Sequence, residues 1–279
     1  MSKKLRIGGA SGFWGDSVIA TPQLLNGNDL DFIVYDYLAE ITMSIMARAR
    51  AKDATKGYAV DFVSSVLKLN LRQIADQKVK ILSNAGGVNP EACAEAIREL
   101  IKELKLDLKV SVVLGDDLMT EKSKFSELNT KEMYSNEDFP AEDKIASINA
   151  YLGAFPIAEA LKSGADIVIT GRSVDSAVTL GACIYSFGWN EKEYDKLAAG
   201  SLAGHIIECG TQSTGGNFTD WELVSKDLHQ IGYPIVEVSE DGSFDCTKSK
   251  NSTGMVSFGT VAEQMLYEIG DPQAYILHD

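Results

Sequence analysis

The chain has 279 residues, of which 45% are hydrophobic and 24% are charged, as is common in globular proteins. Its 40 acidic and 26 basic residues give a net charge of −14, and a surface of this sign repels nucleic acid and anionic lipid. No apolar run reaches the roughly 20 residues that a membrane span needs. We therefore expect neither nucleic acid nor a membrane as a partner.

The cysteines predict a reducing compartment. The four of them form no CxxC pair and no short disulfide framework, so they are typical of reduced thiols. The N-terminus enters a strand-like segment without a signal-type apolar region. Both features predict a cytoplasmic protein.

Short apolar runs alternate with helical stretches over most of the chain. The sequence predicts strands at 5–8, 31–37, 79–83, 110–114 and 166–170. It predicts helices up to about residue 26, within 38–76, and over 90–104, 145–163, 174–187 and 197–208. Near-continuous apolar strands separated by helices indicate an α/β fold with a mostly parallel, doubly wound (Rossmann-like) sheet that is covered on both faces.

Two segments depart from this alternation. The polar stretch 119–143 is interpreted as a solvated excursion or, alternatively, as a lid over a site. After residue 232, the runs 233–238 and 243–247 flank Ser-Glu-Asp-Gly, which predicts a small β-hairpin, and 260–269 predicts a helix.

These patterns predict two parts, an α/β sheet domain over 1–230 and a hairpin plus helix over 231–279. The second part is expected to be the start of a region that continues in longer proteins, because 275–279 resembles the beginning of a strand. We expect apolar surface there, and a homo-oligomer or a subunit of a larger assembly.

The loop after the first strand carries three glycines at three-residue spacing, Gly9, Gly12 and Gly15. Such a loop lets backbone N–H groups approach an anion. Asp36 ends the second strand about twenty residues later, where dinucleotide folds place an acid for the ribose. This start resembles that of extended short-chain dehydrogenases. However, the chain has no Tyr-xxx-Lys pair, and Asp16 adds negative charge where a pyrophosphate would lie.

The loop after the third strand reads Asn84-Ala-Gly-Gly-Val-Asn-Pro90. Helix capping accounts for Asn89 and Pro90, which suit the cap and the first helical position. It does not account for Asn84, Gly86 or Gly87. Paired glycines at a strand end favour close approach of the backbone to a ligand, so these residues are candidates for substrate binding.

The fourth strand ends in the acidic pair Asp116 and Asp117. Adjacent acids point in different directions, so one can contact a substrate or metal while the other caps a turn. Paired acids can also raise each other's pKa and serve in proton transfer. The alternative is a turn with solvated acids.

The fifth strand is followed by Thr-Gly-Arg-Ser-Val-Asp, with Ser173 as the expected N-cap of the next helix. Arg172 beside a helix N-terminus makes a suitable site for a carboxylate or phosphate. An ion pair between Arg172 and Asp175 is the structural alternative.

A further candidate lies at the end of the predicted helix over 197–208. His205, Glu208 and Cys209 share one helical face. They are interpreted as an acid–base site, as a metal site, or as an interior histidine with its partner. A thiolate is disfavoured beside a helix C-terminus, so Cys209 is not favoured as a nucleophile. The polar loop that follows offers further binding groups, namely Gln212, Gly215, Gly216 and Asn217.

Several of these strings, taken together and in this order, resemble the AtuA family, named for acyclic terpene utilisation. They lie at 9–16, 83–90, 115–118, 171–175, 203–210 and 214–221, so the resemblance covers essentially the whole chain. It implies a role in bacterial catabolism of branched acids or terpenoids, often through CoA thioesters. It also implies a longer protein with a small C-terminal domain, but no particular reaction.

We therefore expect an enzyme that acts on a small branched carboxylate or acyl-CoA by proton transfer, as in hydration, dehydration or C–C cleavage. The loops after the first, third, fourth and fifth strands are expected to line one cleft. A non-catalytic ligand- or partner-binding subunit and a nucleotide-binding oxidoreductase are the alternatives. The sequence leaves the metal and the cofactor open.

One prediction separates these alternatives. Because the Tyr-xxx-Lys pair is missing and Asp16 opposes phosphate, we predict no tight NAD binding. Fluorescence titration with NADH tests this, and a micromolar dissociation constant would contradict it.

Overall fold

The computed structural model describes residues 4–16, 18–27, 29–128 and 130–279. The predicted stretches around 17–26 and 119–143 thus each include one residue, Ser17 or Asn129, outside the described part. The described chain is a mixed α/β structure with a seven-stranded sheet of order β4-β5-β3-β2-β1-β6-β7. The strands are β1 (Leu5–Gly9), β2 (Phe32–Tyr35), β3 (Lys80–Ser83), β4 (Val110–Val113), β5 (Ile167–Thr170), β6 (Pro234–Val238) and β7 (Phe244–Lys248).

Helices cover both faces of this sheet. They are α1 (Ala20–Leu25), α2 (Glu40–Lys52), α3 (Lys68–Gln77), α4 (Pro90–Glu103), α5 (Lys122–Glu127), α6 (Phe155–Lys162), α7 (Ala177–Phe187), α8 (Tyr194–Ile207) and α9 (Phe258–Leu266), with a π-helical turn at Phe62–Leu67 before α3. One apolar core lies between the sheet and α1 to α4, and the other between the sheet and α6 to α8.

The strand sequences explain why both faces are covered. In β5, Ile167 and Ile169 point into the core on the side of α1 to α4, whereas Val168 points into the core on the other side. Successive side chains of a strand alternate between faces, so a continuous apolar run needs a helix layer on each. This is the physical basis of the parallel sheet predicted from the sequence.

Strands β1 to β5 are parallel, and β6 and β7 are added antiparallel beside β1. Ile7 is paired with Val236, and Val236 in turn with Cys246. Residues 234–248 therefore extend the same sheet.

The predicted helix over 145–163 is wrong in its first half, because α6 begins only at Phe155. The preceding residues are extended and bond to two strand-end loops. The N–H of Ala150 donates to the carbonyl of Asp116 at 2.8 Å, and the N–H of Leu152 to that of Arg172 at 3.3 Å. Gly153 and Pro156 weaken the helical alternative locally. This segment joins the ends of β4 and β5.

Two predicted helix caps also differ from the structure. Ser173 is not an N-cap, because α7 begins at Ala177. The side chain of Ser173 is fully buried and forms no hydrogen bond within the described part of the chain. Asn89 does precede α4, but its amide does not cap that helix. It donates to the carbonyls of Ala54 and Lys56 at 2.9 and 2.8 Å.

The order of the strands creates a crevice at their carboxyl ends. β3 and β5 are neighbours, but the chain leaves β3 towards α4 on one face and leaves β5 towards α7 on the other. Loops that diverge from adjacent parallel strands leave a crevice where ligands bind in open α/β sheets. Asn84 and Arg172 lie at the two ends that border it.

Gly9 supplies a test of this packing. A β-carbon on Gly9 would lie 2.1 Å from the carbonyl oxygen of Ile207 at the end of α8. We predict that Gly9→Ala lowers the free energy of unfolding by about 1–3 kcal/mol, as overpacking does. Gly270→Ala is the control, because its β-carbon would meet nothing within 4 Å. Urea denaturation measures both, and equal midpoints would contradict the prediction.

Candidate functional site

Arg172 follows the end of β5 that borders this crevice, and its side chain is only 4% exposed. Its Nη1 donates to the carbonyl of Leu38 at 2.7 Å and to Oδ1 of Asp175 at 2.8 Å. Its backbone N–H donates to Oδ2 of Asp116 at 2.8 Å. A buried guanidinium is stable only when it is paired, so these contacts fix its position.

The outer side of the guanidinium faces two residues that border solvent. Its central carbon lies 4.2 Å from the centre of the Tyr151 ring, a cation–π distance. Its Nη2 lies 3.8 Å from Oε1 of Glu40, and the Tyr151 hydroxyl donates to the same oxygen. Tyr151 and Glu40 thus form the solvent-facing side of this site.

Asp36 and Asn84 are buried together at the ends of β2 and β3. The Asn84 amide donates to Oδ1 of Asp36, while its carbonyl oxygen accepts the N–H of Tyr37 at 2.8 Å. The hydroxyl of Ser11 donates to the carbonyl of Asp36 at 3.1 Å. Asn84 therefore positions the Asp36 carboxyl rather than facing solvent.

Three carboxyl groups and two basic side chains affect one another's pKa values here. We call these five residues the carboxylate cluster; they are Asp36, Asp175, Glu208, Arg172 and His205. Burial and then repulsion from Asp175 and Glu208 raise the pKa of Asp36 well above its usual value. Burial, with repulsion from Glu208, raises the pKa of Asp175 to about 6, although Arg172 opposes this. Carboxyl groups with such pKa values cluster at functional sites.

His205 and Glu208 form a buried pair at the end of α8, with Nδ1 2.7 Å from Oε1. Burial alone would lower the pKa of His205, but the hydrogen bond and charge of Glu208 outweigh it, so the pKa is raised. The backbone of Gln264 and Met265 in α9 also favours the protonated ring, yet no group of the described residues meets hydrogen-bond geometry with Nε2. His205 is thus joined to the cluster through Glu208.

Asp116 and Asp117 point in different directions. Asp116 is buried, and its Oδ2 accepts from the Arg172 N–H and from the Asn149 amide at 2.9 Å. Burial raises its pKa. A β-carbon on Gly171 would lie 2.3 Å from that oxygen, so the glycine permits this approach. Asp117 is half-exposed and lies 3.5 Å from Arg50.

The glycine-rich loop after β1 packs against the protein itself. The Gly12 N–H donates to Oδ2 of Asp16 at 2.9 Å. β-carbons on Gly9 and Gly12 would collide with the backbone of Ile207 and of Cys209. Gly15 is exposed, with φ of +92°. Close packing against the end of α8 thus explains why residues 9 and 12 are glycines. The Asp16 carboxylate accepts the Gly12 N–H, which in a phosphate-binding loop would face the phosphate.

The glycine pair after β3 is also explained by packing. A β-carbon on Gly86 would lie 2.4 Å from the carbonyl oxygen of Thr170, and one on Gly87 would lie 2.2 Å from the sulfur of Met46. These glycines let the β3 loop pass between β5 and α2. Packing of the β3 loop thus accounts for both glycines.

The polar loop 211–217 packs on α9 and on 232–255 rather than on Arg172. The Thr214 hydroxyl donates to the carbonyl of Gly232 at 2.7 Å, and its carbonyl accepts the N–H of Met255 at 2.9 Å. Gly215 is buried and Gln212 partly so, whereas Gly216 and Asn217 are exposed. The loop therefore holds α9 close to His205.

Further features of the described residues concern metal ligands, thiols and membrane-spanning helices. Within that part of the chain, no group of three or more His, Cys, Asp or Glu side chains could hold a metal ion. Burial raises the pKa of Cys209 to about 12, so its thiol is neutral at physiological pH. Among the described helices, none is long and apolar enough to cross a membrane.

Cavities lie at both ends of the strands. An open groove of about 1170 Å³ runs along the amino ends of the strands, beside Arg6, Asp31 and Lys80. A smaller cavity of about 310 Å³ lies at the carboxyl ends, between α2 and the loops that carry Asp117 and Asn149. We favour the carboxyl ends as the site, because the buried ionisable residues converge there.

Glu40 and Tyr151 are the site residues that sequence analysis missed. Tyr151 was hidden within a predicted helix, and Glu40 resembles any acid in the first turn of a helix. A signal existed in Asn149 and Gly153, which are poor helix formers on either side of Tyr151.

The family model described as acyclic terpene utilisation family protein AtuA matches residues 5–279. The chain belongs to the AtuA family. This membership suggests a role in acyclic terpene utilisation. Searches among curated proteins and among solved structures find no match.

The His205–Glu208 pair of this AtuA family member makes a pH-dependent contribution to stability. A histidine with a raised pKa stabilises the folded state below its unfolded pKa of about 6.5, and this is lost as the pH rises through the folded pKa. We predict that His205→Gln lowers the free energy of unfolding more at about pH 6 than at about pH 9. Urea denaturation at both pH values measures this.

The exposed His229 provides the control. His229→Gln should give no such difference between the two pH values. Glu208→Gln should remove most of the difference seen at His205, because the neutral amide no longer favours the imidazolium. A cost of His205→Gln that is independent of pH would contradict the charged pair.

Proposed function

We propose that the chain is a cytoplasmic enzyme of bacterial acyclic terpene or branched-acid catabolism that transfers a proton on a small branched carboxylate or its CoA thioester. The observation that carries this proposal is the carboxylate cluster, in which Arg172 lies beside Asp175 at the crevice between β3 and β5. The position agrees with the ligand sites of doubly wound, Rossmann-like sheets. The free cysteines agree with a reducing compartment.

Arg172 holds the negative charge in this proposal. Its guanidinium is buried and stays charged, and its Nη2 faces the solvent side of the crevice. A planar guanidinium suits a carboxylate or the oxygen of a thioester enolate. Charge that develops on that oxygen is stabilised more strongly in a buried site than in water.

Asp175 is the base in this proposal. Its side chain is 34% exposed, and its pKa of about 6 leaves it ionised but proton-accepting near neutral pH. The carboxylate removes a proton from the carbon next to the carbonyl. The C–H electron pair moves towards the carbonyl oxygen near Arg172. Dehydration begins with this step, hydration ends with its reverse, and C–C lysis next to a carbonyl passes through the same kind of enolate.

The other candidates act around these two residues. Burial and the charges of Asp175 and Glu208 raise the pKa of Asp36, so Asp36 holds a proton more readily than an ordinary aspartate beside Asp175. The His205–Glu208 pair lies beyond them, where the charge of Glu208 raises the pKa values of Asp36 and Asp175. Asp116 positions the backbone of Arg172, and Asp117 contacts Arg50 at the smaller cavity.

The glycine-rich loop supports proton transfer over a nucleotide-binding oxidoreductase. Asp16 accepts the Gly12 N–H, and the end of α8 fills the space beside Gly9 and Gly12. A pyrophosphate needs both the N–H groups and that space.

Proton exchange tests this function without knowledge of the natural substrate. We predict that the protein exchanges the α-proton of 3-methylbutanoyl-CoA or 3-methylbutanoate with D₂O, and that the rate rises with pH through an apparent pKa of about 6. Asp175→Asn should lower the rate by about 100-fold or more. Arg172→Lys should lower it as well. NMR measures the exchange.

Asp195→Asn is the matched control, because Asp195 is an exposed acid in the first turn of α8. It should leave rate and pH profile unchanged. Absence of exchange with both probes would refute the proposed function. Persistence of the pH dependence in Asp175→Asn would refute the role of Asp175.

A further inference from the structure

The two terminal nitrogens of the Arg172 guanidinium have different contacts. Nη1 makes short hydrogen bonds to Leu38 and Asp175, at 2.7 and 2.8 Å. Nη2 faces Oε1 of Glu40 at 3.8 Å, which is beyond hydrogen-bond distance. Nη1 is therefore fixed by hydrogen bonds, while the contact between Nη2 and Glu40 is a longer, ionic one.

Glu40 borders solvent, so it can exchange its contact with Arg172 for contact with water. Its side chain is 81% exposed at the first residue of α2. Ion pairs with a solvent-exposed partner contribute little stability, so replacing this one costs little. Its pKa is lowered, chiefly by the hydrogen bond from Tyr151, so the group beside Nη2 is a carboxylate.

Tyr151 can stay while Glu40 leaves. Its ring stacks on the guanidinium at 4.2 Å, and the extended backbone next to it is anchored by bonds to the carbonyls of Asp116 and Arg172. Its hydroxyl donates to Oε1 of Glu40. When Glu40 moves out, Nη2 and this hydroxyl become two donors on the same side of the site, both suited to one carboxylate.

We propose that Glu40 occupies the binding position of the substrate carboxylate. A small monocarboxylate binds by displacing Glu40 from Nη2 of Arg172 and from the hydroxyl of Tyr151. This rests on the proposed function, for which it names the anion-binding contacts. One guanidinium cannot balance Asp175, Glu40 and a substrate anion together. Glu40 therefore competes with carboxylates, and Tyr151 is a specificity-determining residue.

The test compares 3-methylbutanoate with its uncharged amide, 3-methylbutanamide, by NMR titration of the whole chain. We expect Glu40→Gln to bind 3-methylbutanoate about 3- to 10-fold more tightly, because the competing charge is gone. We expect Tyr151→Phe to bind it about 3- to 10-fold more weakly, because one donor is lost. Affinity for the amide should change in neither direction in Glu40→Gln.

Glu91→Gln is the control, because Glu91 is an exposed acid in the first turn of α4. It removes the same charge from an equivalent helix position and should leave both affinities unchanged. Circular dichroism of each variant confirms that the fold is retained.

Each outcome addresses a different claim. Binding that is lost in Arg172→Lys but is equally tight in wild type and Glu40→Gln overturns the displacement of Glu40 and leaves the proposed function standing. An equal gain for the acid and the amide in Glu40→Gln also overturns it, because the effect would then not depend on charge. If 3-methylbutanoate binds saturably to neither wild type nor Glu40→Gln, both the anion site and the displacement of Glu40 are overturned.

Discussion

The burial of one guanidinium is the constraint on which the site depends. Arg172 has almost no solvent contact, so the protein must replace its hydration with hydrogen bonds and an opposite charge. It does so with the carbonyl of Leu38, the carboxylate of Asp175 and the ring of Tyr151. These three groups come from different parts of the chain, namely the loop after β2, the loop after β5 and the segment before α6. The positive charge also limits how far burial raises the pKa values of Asp36 and Asp175.

The topology explains why these groups meet. The carboxyl ends of β2, β3, β4 and β5 lie at the same edge of the sheet, and the loops from β3 and β5 diverge to opposite faces. Glu208 and His205 arrive from a different direction, at the end of α8, which the glycines of the β1 loop allow to approach. Parallel strands provide one half of the cluster, and helix packing provides the other.

The sequence predicted the strands well, because apolar runs buried on both faces leave a local signal. It also indicated Arg172 and Asp175, which follow one strand, and the helical spacing of His205 and Glu208. It could not indicate Tyr151, because the extended backbone there depends on bonds to residues distant in sequence. For the same reason the capping role expected of Ser173 was wrong, and the packing of Gly9 against α8 was unforeseen.

The contact between Gly9 and Ile207 affects the order in which the carboxylate cluster is completed during folding. These residues lie far apart in the chain, and contacts of large sequence separation form late because closing the intervening loop costs entropy. During synthesis the parallel strands and Arg172 emerge before α8 does. Until α8 docks, Asp36 and Asp175 lack the neighbouring carboxylate that helps to set their proton affinities. A partly folded chain can thus contain most of the sheet and Arg172 before Glu208 reaches the carboxylate cluster.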